Sequence, residues 1–372
     1  MSEQLEKIKE SIEKINNKDF GIYFFTIDTK GNPTAGVATI YEHVKKLREL
    51  GYNAQILHDK NDYKLREDEH GIGIAEWLGE EYANLPHVSI ESQKLQVSAS
   101  DFVVIPEAFA SIMKQTVNFP CKRIVFLQSY EYIFEMMEIG EGWEQFGIRD
   151  VITTNQNLSN YVNTLFRGLT TDIIPIGIPS YFEDEKKPKI PTVSMVARDK
   201  RELLKIVKIF YQKYPHYRFV TFRDLSGLPR KTFANELSKS FLSVWVDELS
   251  SFGTFPLESM KVNTPVIGKI PRMVPEWMGN VDENGNLNLN DNGIWTANLN
   301  SIPDIIATMV GLFLEDALPQ NIMTGMSEWV NKYSEEESNN AVTEVYDKIF
   351  KRRLVELESS LQQFEVKEQT TI

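Results

Sequence analysis

Ser250-Ser251-Phe252-Gly253-Thr254-Phe255-Pro256-Leu257-Glu258-Ser259-Met260, followed by Thr264-Pro265-Val266-Ile267-Gly268, reads as a strand end, a glycine turn, a short helix carrying one carboxylate, and a second strand. Upstream, Phe241-Leu242-Ser243-Val244-Trp245-Val246 is an apolar run of the kind that forms a buried parallel strand. Gly253 permits a tight turn, so that the backbone N–H groups after it can point at an anion. Glu258 lies one helical turn further in, where a carboxylate can accept hydrogen bonds from two vicinal ribose hydroxyls. The order suits a diphosphate site on a β-α-β unit.

The same alternation extends outward in both directions. Leu5, Ile8, Ile12 and Ile15 share one face of a charged N-terminal helix. The run Gly21–Ile27 reads as a strand, Pro33-Thr34-Ala35-Gly36-Val37 as a glycine loop, and the segment through Val44 and Leu47 to Gly51 as a helix. That is the opening unit of a doubly wound sheet. Further strands are expected at Ala54–Leu57, Phe102–Ile105, Ile124–Leu127, Val151–Thr153 and Ile173–Ile176. Glu183-Asp184-Glu185-Lys186-Lys187-Pro188 is a charged linker ended by proline, after which the pattern restarts. It resumes with a strand at Val193–Ala197, a helix at Leu203–Tyr211 and a strand at Arg218–Phe222. Two Rossmann-like halves joined by a linker imply a cleft between domains, where small ligands commonly bind. Gly279–Gly293 is polar and reads as a loop, whereas Ser334–Phe364 has helical apolar spacing.

At 372 residues the chain exceeds what one core usually serves. Its net charge of -13 disfavours nucleic acid as a partner, because such binding neutralises phosphates with clustered cations. No apolar run is long enough to span a bilayer and the N-terminus lacks signal-peptide features, so a cytoplasmic location is expected. A local basic patch still leaves room for peripheral membrane contact. Lys348, Lys351, Arg352 and Arg353 form such a cluster, read as a solvated helix face. Cys121 is the only cysteine, and the five histidines show no metal-ligand spacing, so neither a metal nor another cofactor is expected. The oligomeric state is not legible.

In its Phe-Gly turn, Leu-Glu-Ser-Met helix and Pro-Val-Ile strand the chain resembles the family 4 retaining glycosyltransferases, over most of residues 20 to 345. The resemblance implies an α/β GT-B fold, two doubly wound parallel-sheet domains facing a cleft with a last helix crossing back. The expected division is an N-terminal helix at 1–19, an acceptor domain at 20–182, a donor domain at 183–335 and the returning helix at 336–372. It further implies retaining transfer of a sugar from a nucleotide diphosphate donor to a hydroxyl acceptor without a metal. By the match, Glu258 holds the ribose, while the turn Ser251, Phe252, Gly253, Thr254 and Phe255 holds the diphosphate with Arg198 and, less closely matched, Lys205. Gly36 admits the sugar or diphosphate.

The family's first glutamate, a contact to the transferred sugar, is replaced by Ser250, a neutral hydroxyl that cannot supply negative charge. Glu248, just upstream, could take that role after a small loop shift. Where the family often has a histidine in the first domain, this chain has Pro106-Glu107, and Glu107 is either a sugar contact or a helix-start acid. Tyr130, at a strand end, is the acceptor-side candidate within an aromatic stretch, Tyr130 to Phe146, that otherwise reads as core or lid. Ser250 also motivates a rival reading, a catalytically weakened GT-B protein that binds a nucleotide sugar or a partner glycosyltransferase as a scaffold or regulator. A nucleotide-sugar epimerase would need acid/base groups that no histidine pattern provides.

Overall fold

β-branched and aromatic runs become the strands, and the charged amphipathic segments between them become helices on both sheet faces. The computed structural model describes residues 3–92, 95–183 and 186–370. Asp184 and Glu185 of the expected linker lie outside the described residues. The chain divides into two units, Met1–Ile174 with Asn339–Ile372, and Pro175–Ser338.

The first unit holds β1 (Gly21–Phe25), β2 (Asn53–His58), β3 (His87–Ser89), β4 (Phe102–Pro106), β5 (Lys122–Leu127), β6 (Asp150–Thr153) and β7 (Thr170–Ile173). All pairings are parallel, in the order β3-β2-β1-β4-β5-β6-β7. β4 is buried along its whole length, as expected for a central strand covered on both faces. The helix Glu3–Asn16 buries Leu5 and Ile15, its apolar stripe.

The helix Glu335–Thr370 belongs to this unit from Asn339 onward, and Val342, Val345, Tyr346, Ile349, Phe350 and Leu357 join the core beside Phe20 and Phe102. Its basic cluster is only in part the solvated face that its composition suggests: Lys348 and Lys351 are exposed, Arg352 and Arg353 are not. Arg352 reaches Asp150 and Asp172 at 2.9 and 2.6 Å. Arg353 donates to the Ala99 and Pro120 carbonyls. These two side chains fasten the helix to the edge of the sheet where the strands begin, whereas Lys348 is exposed and pairs with Glu344 on its own helix.

The second unit holds β8 (Ile190–Val196), β9 (Thr221–Asp224), β10 (Ser240–Trp245), β11 (Val266–Lys269), β12 (Gly279–Val281), β13 (Leu287–Leu289) and β14 (Ile294–Thr296). Five strands form a parallel sheet in the order β14-β11-β10-β8-β9. Alternation along β10 sends Val244 and the following Val246 to one core, with Phe210 and Ile306, and Trp245 to the other, with Phe255 and Trp277. Ile178 and Phe182 pack in this second core, and Ile178 N donates to the Tyr333 carbonyl at 2.8 Å, so the segment before the linker travels with this unit. The asparagine-rich stretch that reads as a loop contains an antiparallel hairpin, β12 with β13. Among the described residues no helix is long and apolar enough to cross a membrane.

Candidate functional site

In a doubly wound sheet the ligand crevice opens beyond the strands' C-terminal ends, where the strand order reverses. In the second unit that point lies between β8 and β10. Arg198 follows β8 and Asp247 follows β10, and Arg198 Nε donates to Asp247 Oδ2 at 2.8 Å across the reversal. Next to Asp247, Glu248 accepts from Lys269 Nζ at 2.5 Å and from Arg272 Nη2 at 3.2 Å. The hydrogen bond and charge of Lys269, with Arg272 beside it, hold the Glu248 carboxyl below the usual glutamate range. Glu248 is therefore occupied by two cations rather than standing free beside Ser250, which is half-buried. Lys200 reaches Asp224 at the end of β9 at 3.0 Å. Lys205 is exposed on the same helix, Lys200–Lys213, and forms none of these pairs.

Gly253 has φ +72° and is the N-cap of the helix Thr254–Lys261. A Cβ there would sit 2.8 Å from the Trp245 ring and 3.2 Å from that of Trp277, so both the backbone conformation and the space demand glycine. Trp277 Nε1 donates to the Phe252 carbonyl at 2.6 Å and locks the turn from below. Ser251, Phe252 and Phe255 are buried. Their route to a ligand is through the backbone, and Thr254 is the half-buried side chain of the turn.

Glu258 is 2% exposed, and its Oε1 accepts from Arg230 Nη2 at 2.5 Å. The guanidinium also lies 5.0 and 5.4 Å from the ring centroids of Phe182 and Phe233. Burial is the largest single influence on Arg230 and would lower its basicity, but the charge and hydrogen bond of Glu258 together with those of Tyr181 outweigh it and hold the guanidinium firmly protonated. Arg230 is 28 positions earlier in the chain, in a stretch without a motif, and only the fold brings it to Glu258. Lys269 and Arg272 were equally silent in the sequence, since isolated cations after a strand carry no pattern.

In the first unit the order reverses between β1 and β4. Gly36 lies in the first turn of the helix Ala35–Glu49. The space beside it is filled by Gln128, whose Nε2 donates to the Gly36 carbonyl at 3.1 Å and whose Oε1 would stand 3.3 Å from an added Cβ. Glu107 follows β4, is 4% exposed, and accepts from the Ser129 backbone N–H at 2.7 Å. Burial pushes its carboxyl up to about 7, against the opposing pull of backbone N–H groups including those of Gln128 and Ser129. Gly36, Gln128, Ser129 and Glu107 thus meet at one crevice. Tyr130, next in line, opens a short 3-10 turn and packs edge-to-face on Tyr161. The aromatic stretch splits, with Trp143 and Phe146 in the core and Phe134 and Met136 about half exposed.

Among the described residues no group of three or more His, Cys, Asp or Glu side chains is placed to hold a metal ion. His58 and His87 instead share a partly buried hydrogen bond of 2.9 Å, stacked with Tyr63.

No family model matches the chain. An Alpha-1,6-glucosyltransferase of Actinobacillus pleuropneumoniae serotype 7 (strain AP76) is 24% identical over 261 residues, 68% of this chain and 73% of that protein. The pneumococcal O-GlcNAc transferase GtfA, solved with UDP and GlcNAc, superposes with a TM-score of 0.59 at 9% identity, covering 90% of this chain and 99% of that one. Anabaena HepE, solved with UDP-glucose, gives 0.60 at 12% identity over 88% and 99%. TarM gives 0.60 at 10% identity over 89% and 98%. Two parallel Rossmann-like sheets of this topology, matched along nearly the whole of these structures, show that the chain has the GT-B fold of the glycosyltransferases.

Proposed function

We propose that the protein is a glycosyltransferase that moves a sugar from a nucleotide diphosphate donor to a hydroxyl acceptor, with retention and without a metal. The observation that carries the reading is the second unit's crevice. There Arg198, the glycine-demanding turn at Gly253 and a buried carboxylate at Glu258 follow two strands flanking the order reversal. Arg198 and the turn's backbone N–H groups stabilise the negative charge that builds on a departing diphosphate, and Glu258 accepts from the ribose hydroxyls. The relative of known activity is an Alpha-1,6-glucosyltransferase, and UDP or UDP-glucose occupies two of the structural neighbours, which favours UDP among the donor nucleotides to try first. An α-linkage made from a donor with an α-anomeric phosphate is retention, in keeping with the mechanism proposed.

In the first unit, Glu107, Gln128 and Tyr130 are proposed to face the transferred sugar and its acceptor. Arg198 is the cation of choice for the diphosphate, and Lys205 has the weaker claim because it stands exposed outside the paired cluster. Ser250 is proposed to give a neutral hydrogen bond to the sugar.

The test is thermal stabilisation by UDP, GDP and ADP and their sugars, followed by NMR assignment of the anomeric configuration of the product. Glu258→Gln is a cleaner probe than Glu258→Ala, because glutamine removes the charge but keeps a side-chain oxygen that can accept from the buried Arg230, which alanine does not. Stabilisation by one nucleotide that Glu258→Gln weakens, together with an α product, is expected. Stabilisation without any transfer to simple hydroxyl acceptors would favour the scaffold reading, for which the neutral Ser250 speaks.

A further inference from the structure

Lys269 is the last residue of β11, and its side chain is 18% exposed. Its ammonium lies 2.5 Å from Glu248, which follows β10, and 3.9 Å from Glu202, in the first turn of the helix that follows β8. β10 runs between β8 and β11. A side chain that starts at the end of β11 and reaches a residue following β8 therefore crosses the end of the central strand β10, at the mouth of the crevice. Arg272 joins it there, tied to Glu248 through its guanidinium and through its backbone N–H, which donates to the Glu248 carbonyl at 2.9 Å. Its side chain is 60% exposed and that of Arg198 is 43% exposed, so both can reorient without unpacking the core.

Three cations, Arg198, Lys269 and Arg272, here meet three carboxylates, Asp247, Glu248 and Glu202. The cluster is neutral as it stands, whereas a diphosphate is a multiply charged anion. We propose that Lys269 and Arg272 complete the diphosphate-binding set with Arg198, and that Glu248 is its internal counter-ion, which the incoming diphosphate displaces. The proposal rests on the donor-site reading above. Glu248 is suited to the part: it is on the surface loop after β10, and each of its oxygens contacts a different cation, as two phosphate oxygens would. The lowered carboxyl range noted above keeps it ionised at neutral pH. Displacing it makes occupancy of the site depend on ligand charge, so a neutral nucleoside draws no benefit from the cluster.

Inorganic pyrophosphate, UDP, GDP, ADP and the free nucleosides would be titrated calorimetrically against wild type, Glu248→Gln, Lys269→Met and Lys269→Arg at fixed ionic strength. Making or breaking one charge-assisted hydrogen bond changes Kd by about tenfold or more. Pyrophosphate and the accepted nucleoside diphosphate should bind about tenfold tighter to Glu248→Gln and about tenfold weaker to Lys269→Met, with Lys269→Arg near wild type and nucleosides unmoved. Equal or weaker diphosphate binding by Glu248→Gln, in a variant whose circular dichroism and Tm match wild type, overturns the counter-ion role. Wild-type affinity in Lys269→Met overturns the cation's role. If pyrophosphate follows the expected order while no nucleotide binds, the cluster is an anion site and the donor reading is what fails. If neither pyrophosphate nor any nucleotide binds to any variant, both are wrong.

Discussion

The two crevices of this chain are built from opposite materials. At the order reversal of the first sheet, Gly36, Gln128, Ser129 and Glu107 are joined through backbone and amide groups, and the one carboxyl among them is so desolvated that its range moves up to about 7. At the reversal of the second sheet, Arg198, Asp247, Glu248, Lys269 and Arg272 are charged, paired and partly wet. A dry neutral pocket selects by shape and hydrogen bonding, whereas a cluster of exchangeable charges selects by ligand charge. In the function proposed above, the first unit would handle sugar hydroxyls and the second a diphosphate.

The histidines follow the same line. His43, His58 and His87 are all in the first unit, and burial pushes their imidazoles down to about 3, 3 and 4, while the second unit has only His216, in an exposed turn. These three imidazoles take up protons below about pH 6.5 in the unfolded chain, and in the folded first unit not until about pH 4 to 3. The stability these histidines contribute is thus fully present above about 6.5 and falls with acid by up to about 1.4 kcal/mol per pH unit per histidine. Hydrogen exchange between pH 7 and pH 4.5 should show the amides of β1 and β2 losing protection before those of β10. Simultaneous loss would break the contrast.

The second unit's vulnerable point is the Arg230–Glu258 pair. Removing one partner of a buried pair costs about 3–5 kcal/mol, since the other is left charged and unmatched. Arg230→Ala and Glu258→Ala should each lower Tm by several degrees, and the double variant should recover part of the loss. A double variant no better than the sum of the singles would show that the pair is not coupled.

In the first unit, the raised Glu107 carboxyl makes the folded state lose stability as pH rises from about 4.5 through about 7. Glu107→Gln, which can still accept from Ser129, should therefore be more stable than wild type at pH 8, by at most about 3 kcal/mol, and equal to it near pH 4. Chemical denaturation at the two pH values checks the sign. The smallest effect is at Gly253, where alanine must adopt φ +72° and press on Trp245, at a cost of about 2 kcal/mol. Nucleotide affinity should fall with it if the turn binds the diphosphate.

Much of the fold was legible because the central strands are covered on both faces and must be apolar runs, as at Phe102–Ile105 and Phe241–Val246. The short edge strand β3 escaped because three residues carry no periodicity. Strands β7 and β9 lie a few residues from where apolar content placed them, since edge strands alternate or turn polar and blur their own boundaries. The β12–β13 hairpin had its signal in Asn284-Gly285, the dipeptide favoured in tight hairpin turns, but its polar flanks masked it. In the site, Gly253 and Glu258 announced themselves through local order. Arg230, Lys269, Arg272 and Gln128 did not, because each meets its partner only through the parallel crossover geometry of the sheet. The same geometry turned Arg352 and Arg353 from surface charge into fasteners.

The helix Glu335–Thr370 has a consequence for biosynthesis. The core of the first unit draws on Phe20 and Phe102 near one end of the chain and on Tyr346 and Phe350 near the other, while the second unit is encoded entirely between them. As the chain leaves the ribosome, the second unit has all of its residues before the first does. The usual order of domain completion is inverted. Until the last helix emerges, the nascent first sheet shows an uncovered apolar face, the surface on which a chaperone would be expected to wait.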